Sequence, residues 1–365
     1  MLKSLLKPTI DLMDLEHSLL KIIRGEKKAP ILMGGLAALS TLYRSAIAAR
    51  NLAYDRGWIS SIKLPAVVVS IGNIVVGGTG KTPLVHLLAS ELQSKVQLAI
   101  LTRGYRSSIE RSGRCRQISS GNGPLCQSEE CGDEPYFLAQ KTRASIWVGG
   151  DRVASGRLAI AEGANCLLLD DGMQHRGLKR DFEIVILDGT DPFSKERFLP
   201  WGLLRDTPKR LRFADLIVFT HVKDQKHHQQ LQKQLSPFTH APAVAFQIEV
   251  LNKQLFPPRK VGVFCGIGKP THFLQTIRDL KSEIVDTLIL KDHASLQKGE
   301  LRDFAKKCRE KGAEALLCTE KDYVKISPDP SLCLKIDPVE IQLKILTGKE
   351  HWETLIENIL DRIFK

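Results

Sequence analysis

Ser70-Ile-Gly-Asn-Ile-Val-Val-Gly-Gly-Thr-Gly-Lys-Thr-Pro83 follows the apolar run at 66–69 and precedes an apolar-periodic segment at 84–92. Buried strand, glycine-rich loop and helix, in that order, form a phosphate-binding loop. Gly77, Gly78 and Gly80, with Thr79 between them, let the backbone turn tightly and aim its N–H groups at phosphate oxygens. Lys81 supplies a mobile point charge, and the Thr82 hydroxyl is placed to hold Mg²⁺. The helix beginning near Pro83 turns its positive end to the same anion, and proline suits a first helical turn. The pattern G-x-x-x-x-G-K-[ST] asks for glycine at position 75, where Val75 stands, so the loop is a variant with its glycine shifted to 77 or 78. The reading is a nucleoside triphosphate site.

The chain has 365 residues, enough for two cores, with 43% apolar and 26% charged residues. Its net charge of +12 points to an anionic partner: nucleic acid, an acidic membrane surface or a phosphorylated substrate. Aromatics make up only 6%, and no basic–aromatic stripe or zinc-finger spacing occurs, which argues against nucleic acid. Cys166, Cys265 and Cys318 lie in apolar runs and read as small core residues. Cys115, Cys126 and Cys131 share a polar stretch without a convincing fourth metal ligand and read as loop thiols.

Residues 29–43 carry no charge and are flanked by Lys27, Lys28, Arg44 and Arg50. The run is short for a membrane span and suits a helix inserted part-way into one leaflet, with the amphipathic segment 2–23 on the same surface; the competing reading is a buried core helix. From residue 64 onward short apolar strands alternate with helices, which predicts a parallel sheet covered on both faces. Residues 107–132 read as a polar loop and 242–250 as an extended connector that serves as a hinge. A second α/β unit runs from 257 to 346, and residues 350–364 form an amphipathic helix. The expected division is a membrane-associated region at 1–55, a P-loop domain at 56–241, a connector at 242–256, a smaller α/β domain at 257–346 and a C-terminal helix at 347–365.

Leu167-Leu-Leu-Asp-Asp-Gly172 has the form of a Walker-B element, from which Asp170 or Asp171 reaches the metal held by Thr82; capping of the next helix is the alternative. Gly132-Asp-Glu-Pro135 puts two acids at a helix start, where a cap occupies one and leaves the other for metal or proton transfer. Gln174-His-Arg-Gly-Leu-Lys-Arg180 gathers donors that suit phosphate or sugar hydroxyls. Asp292-His293 closes a strand of the second unit and offers a general acid or base. Thr319-Glu-Lys-Asp322 reads as a helix cap with a salt bridge. Gly266-x-Gly-x-Pro270 lacks the third glycine of a dinucleotide fingerprint and is discounted.

In this order, the loop at 72–83, Thr102-Arg-Gly-Tyr105, Gly132-Asp-Glu-Pro135, Asp170-Asp-Gly-Met-Gln-His-Arg176, Leu199-Pro-Trp-Gly-Leu-Leu-Arg205, Asp292-His293 and Thr319-Glu-Lys-Asp322 resemble the tetraacyldisaccharide 4′-kinase family of lipid A biosynthesis. The resemblance spans nearly the whole chain. It implies a P-loop NTPase-type parallel-sheet domain, a second, smaller α/β domain and an N-terminal membrane-associated helix. It implies ATP and Mg²⁺ as cofactors, an acylated disaccharide phosphate as substrate, no nucleic acid and no obligate protein partner. The family works peripherally at the cytoplasmic face of the inner membrane.

Carried over by motif, Lys81 and Thr82 meet the phosphates and Mg²⁺, and Glu134, Asp170 and Asp171 complete the metal shell. Asp133 with His293 resembles the family's proton-abstracting dyad. Arg152 and Arg205 resemble its basic contacts near the reacting phosphates, and Gln174 and His175 join the nucleotide side. Ala294, Met173, Trp201 and Val75 depart from the common pattern. The alternative from another class is a membrane-attached P-loop ATPase or GTPase switch.

Overall fold

The computed structural model describes residues 30–290, 298–326 and 329–365. The expectations for segment 2–23 and for Asp292, His293 and Ala294 lie outside the described residues.

Thirteen strands are described, in chain order β1 (Val67–Gly72), β2 (Leu98–Thr102), β3 (Arg116–Ser120), β4 (Ser145–Val148), β5 (Cys166–Asp170), β6 (Phe182–Asp188), β7 (Leu216–Thr220), β8 (Ala243–Val250), β9 (Lys260–Cys265), β10 (Glu283–Ile289), β11 (Ala315–Thr319), β12 (Lys335–Val339) and β13 (Ile341–Thr347). Nine of them form one sheet in the order β13-β8-β7-β6-β1-β5-β2-β4-β3. The interior pairings are parallel, and only the edges, β13 on β8 and β3 on β4, run antiparallel. The other four make a parallel sheet, β10-β9-β11-β12. Strands such as β1, β2, β5 and β7 are buried at every residue, as continuous apolar runs must be when helices cover both faces.

Three expectations change. Residues 243–250 are not a connector or hinge: they pair with β7 on one side and β13 on the other, so their backbone groups are committed along both edges. Residues 341–346 do not belong with the smaller sheet, because β13 crosses back and closes the large one. Within 107–132, the helix Ser108–Ser112, the strand β3 and the short helix Ser128–Cys131 replace the featureless loop. The chain therefore passes between the sheets twice, through residues 251–259 and through Glu340.

The largest core cluster joins β1, β2 and β5 to the helices Lys81–Leu92 and Lys349–Phe364. Trp352 is buried there, edge-on to Phe246, and its indole N–H donates to Glu91 Oε1 at 3.0 Å. A separate cluster fills the smaller sheet around Val261, Val263 and Leu317. β1 is flanked by β5 and β6, so the loops leaving its carboxyl end enter the crevice where an open α/β sheet takes its ligand. All eight cysteines are free thiols; Cys166, Cys265 and Cys318 are buried.

The helix Pro30–Asp55 precedes the first strand. Its inner face carries Leu36, Ser40 and Asn51, all buried, while Leu39, Leu42 and Leu52 face solvent. No described helix is long and apolar enough to cross a membrane.

Candidate active site

The loop after β1 is built on Asn73, which is fully buried. Its side-chain amide donates to Thr79 Oγ1 at 2.8 Å, and its carbonyl accepts from Gln174 Nε2 at 2.8 Å and Arg205 Nε at 3.3 Å. Thr220 Oγ1, at the end of β7, donates to the Thr79 carbonyl at 2.9 Å. Gly77 and Gly80 take positive φ, 115° and 91°, which only glycine adopts without strain. Gly77 thus supplies the freedom that position 75 does not. Val75 is buried and bridges to Leu204 instead. The helix starts at Lys81, two residues before Pro83, so Lys81 and Thr82 sit in its first turn.

The strand β5 delivers Asp170 and Asp171 beside this loop. Asp170 is buried, and Thr102 Oγ1 donates to its Oδ2 at 3.3 Å. Burial, then the neighbouring charges of Glu134 and Asp171, raise the Asp170 carboxyl to about 7 against the pull of Lys81 and Arg152. Asp171 adopts a positive φ of 58°. Arg205 grips it with both terminal nitrogens, one at 2.8 Å, and Lys81 Nζ lies 3.8 Å away. Burial pushes Asp171 up, but Lys81 and Arg205 outweigh it and hold the carboxyl well below the usual range. The two adjacent acids therefore separate: one is a firm anion, the other a carboxyl that shares its proton near neutrality.

A stability consequence follows. Between pH 3.8 and about 7 the native chain keeps a proton on Asp170 that the unfolded chain has lost, so this group makes stability fall as pH rises through that window. Asp170→Asn is expected to raise the unfolding midpoint of the metal-free protein at pH 8 by a few degrees, with no gain at pH 4. Calorimetry at both pH values checks this; an equal gain at both would show that crowded charge is not the cause.

Arg152 opens the helix Arg152–Ala161 and is buried. It donates through Nη1 to the Gly149 carbonyl, while its Nε finds no acceptor among the described residues. Its main-chain N–H donates to His175 Nε2 at 3.4 Å. Burial, then the charge of Arg152, lowers His175 to about 4, so the imidazole is neutral at pH 7. The basic run at 174–180 does not act as one cluster. Arg176 turns to Asp55 at 2.7 Å and Arg180 to Glu183 at 2.9 Å, leaving Gln174 and His175 on the loop side.

Gly132 has the φ of 94° that only glycine accepts readily, and the helix Asp133–Lys141 follows. No side chain caps that helix. Instead its acids face the smaller sheet: Lys325 Nζ lies 3.0 Å from Asp133 Oδ2, and Lys321 Nζ lies 3.1 Å from Glu134 Oε1. Thr319 caps the short helix Glu320–Tyr323, as its motif predicts. Asp322 anchors the assembly by accepting from Gly266 N at 2.9 Å and pairing with Lys325 at 3.3 Å. Lys321 and Lys325 were missed in the sequence. Their only local signal is a four-residue spacing just after a strand end, with Lys321 in the short helix and Lys325 in the turn that follows it.

The loop Gly266–Pro270 also reaches the site. A Cβ on Gly268 would lie 2.6 Å from the Gly78 nitrogen, so only glycine lets the two loops meet. Beside it, ligand atoms of Asp188, His221 and His272 lie within 4.8 Å of one another. The Lys269 ammonium stands 2.5 Å from Asp188 Oδ2 and already supplies the positive charge there. Burial pushes Asp188 up, but His221 and Lys269 outweigh it and hold the carboxyl far below its ordinary value. Burial, then His221, lowers His272 to about 4. This group ties the two sheets together as an ion pair with two imidazoles around it.

A family model described as tetraacyldisaccharide-1-P 4′-kinase matches residues 33–361. The chain is 33% identical to the tetraacyldisaccharide 4′-kinase of Syntrophus aciditrophicus over 349 residues, covering 89% of this chain and 93% of that one. It is 36% identical to the enzyme of the same name from Chlamydia pneumoniae over 301 residues, covering 79% and 80%. The crystal structure of LpxK from Aquifex aeolicus in complex with ATP superposes with a TM-score of 0.70 at 29% identity, covering 90% of this chain and 99% of that one.

Proposed function

Since the chain belongs to the tetraacyldisaccharide 4′-kinase family and is a kinase of lipid A biosynthesis, we propose that the crevice above β1 and β5 transfers the γ-phosphoryl group of ATP in line to the 4′-hydroxyl of an acylated disaccharide 1-phosphate. The observation that carries this reading is the convergence of Lys81, Asp170, Asp171 and Arg205 at the carboxyl ends of β1 and β5, with Glu134 near enough to help raise the Asp170 carboxyl.

The turn formed by Gly77, Gly78, Thr79 and Gly80 cradles the triphosphate, and Lys81 neutralises its developing charge. The buried Nε of Arg152, without an acceptor among the described residues, supports a role as a phosphate donor. Arg205 orients Asp171 and the loop carbonyl of Asn73 together. Gln174 and His175 line the nucleotide side, the imidazole acting as a neutral hydrogen-bonding group.

Thr82, Glu134, Asp170 and Asp171 would hold Mg²⁺. Burial, and then the crowding of Glu134 and Asp171, raise Asp170 to about 7, which fits a site made for a cation. When bound, the metal supplies neutralisation of the phosphate oxygens. Asp133 takes the proton of the 4′-hydroxyl, a role the family resemblance assigns to it together with His293. Lys325, 3.0 Å from its Oδ2, limits where that carboxylate can turn. A general base in this position contributes roughly 10²–10⁴ in rate.

The solvent-facing Leu39, Leu42 and Leu52, with exposed Trp58, Ile59 and Ile62 after the helix, support attachment to the cytoplasmic face of the inner membrane. The net charge of +12 favours anionic headgroups.

The test is transfer of radiolabelled γ-phosphate from ATP to a purified tetraacyldisaccharide 1-phosphate in mixed micelles, resolved by chromatography. Label is expected in the lipid, with little ATP turnover when lipid is left out. Steady ATP hydrolysis without lipid, and no labelled lipid with it, would mark a switch-type NTPase.

A further inference from the structure

The helix Pro30–Asp55 is bonded from behind to both loops that grip the phosphate-binding turn. Tyr43 Oη donates to the Arg205 carbonyl at 3.1 Å, and Asn51 Nδ2 donates to Asp206 Oδ1 at 2.9 Å. Asn51 and Asp206 are both buried. Arg50 donates to the Gln174 carbonyl, and Arg176 returns a bond to the Asn51 carbonyl at 2.9 Å. In front, the same two loops meet at one atom, because Gln174 Nε2 and Arg205 Nε both donate to the Asn73 carbonyl.

Polar groups spaced along one face of a helix are an unusual choice for mere packing. Each buried bond limits where the loops can sit, and loss of one partner leaves the other unsatisfied. Arg205 in particular lies between two fixed points. Its carbonyl is held by Tyr43, the following side chain by Asn51, and its guanidinium spans Asp171 and Asn73. A side chain as long as arginine orders its head group only if its backbone is fixed.

We propose that Tyr43 and Asn51 are positioning residues for Arg205, making the N-terminal helix part of the phosphate site as well as an apolar exterior. This rests on the reading that Arg205 serves the reacting phosphates. The residues touch no reacting atom. They act by holding the 205–206 backbone so that the guanidinium meets Asp171 and the loop together.

The experiment uses the full chain and the lipid-transfer assay. Tyr43→Phe removes one oxygen and keeps the ring; Asn51→Ala is the second probe. Each is made alone and combined with Arg205→Ala. Alone, each is expected to lower kcat about fivefold, the worth of one buried hydrogen bond, with KM for ATP within about twofold. In the Arg205→Ala background each should change kcat by less than about 1.5-fold, because the group they position is gone. Equal losses in both backgrounds would overturn the proposal in favour of a general structural role. No loss from either single variant, where Arg205→Ala does lower kcat, would overturn it while leaving Arg205 in place. A normal kcat for Arg205→Ala would remove Arg205 from the mechanism and the proposal with it.

Discussion

Lys81→Ala is expected to cut kcat for lipid phosphorylation by about 10³, with KM for ATP rising no more than about tenfold. Lys81 stands in the first turn of its helix, 3.8 Å from Asp171, with its ammonium at the end of the glycine turn. The Arg205 guanidinium is bonded to Asp171 and Asn73 and is less free than Lys81 to follow charge that develops on the transferring group. The fold should survive. Asp171 keeps its bidentate arginine, and the core beneath the loop is apolar and independent of Lys81. Steady-state kinetics with nucleotide binding measured by calorimetry checks this. A kcat within about threefold of the parent would refute the assignment of this turn to the γ-phosphate.

Asp133→Asn is the second large effect. Asparagine fills the same volume and cannot accept the proton of a sugar alcohol. A loss of roughly 10²–10⁴ in kcat is expected, with KM for ATP within about twofold. The neighbouring Lys325 keeps Asp322 at 3.3 Å, so the variant should not leave a buried cation alone. His293→Ala should produce a loss of the same order, and the double variant should lose little more than either single one, as groups acting in one proton transfer do. Independent, multiplying losses would separate the two residues. A parallel rise in KM for ATP would instead put Asp133 on the nucleotide.

Much of the proposed phosphate site is written locally. Gly77, Gly80, Lys81 and Thr82 act through the conformation and charge of their own short segment, and a buried strand running into Asp170 and Asp171 needs no distant contact to be recognised. The Thr319 cap is legible for the same reason. Lys321 and Lys325 were not legible as partners of Glu134 and Asp133, since the pairs lie about 190 positions apart and meet only when the second sheet docks. Asn73 reads as an ordinary loop residue until its amide and carbonyl are found to organise the turn. Arg176 and Arg180 mislead in the other direction. In sequence they look available to a ligand, yet each is committed to a carboxylate within the protein.

The amino-acid order alone determined a nucleotide-binding α/β protein: apolar runs too short and too dry for anything but buried parallel strands, and glycines where backbone must meet phosphate. Only the tertiary structure decided that 243–250 and 341–347 are strands of the large sheet, that the helix Pro30–Asp55 holds the Arg205 loop, and how Asp188 and Lys269 join the two sheets. Periodicity and loop chemistry depend on neighbours within a turn or two. Edge pairing, salt bridges between sheets and the raised Asp170 carboxyl depend on which distant segments exclude water together.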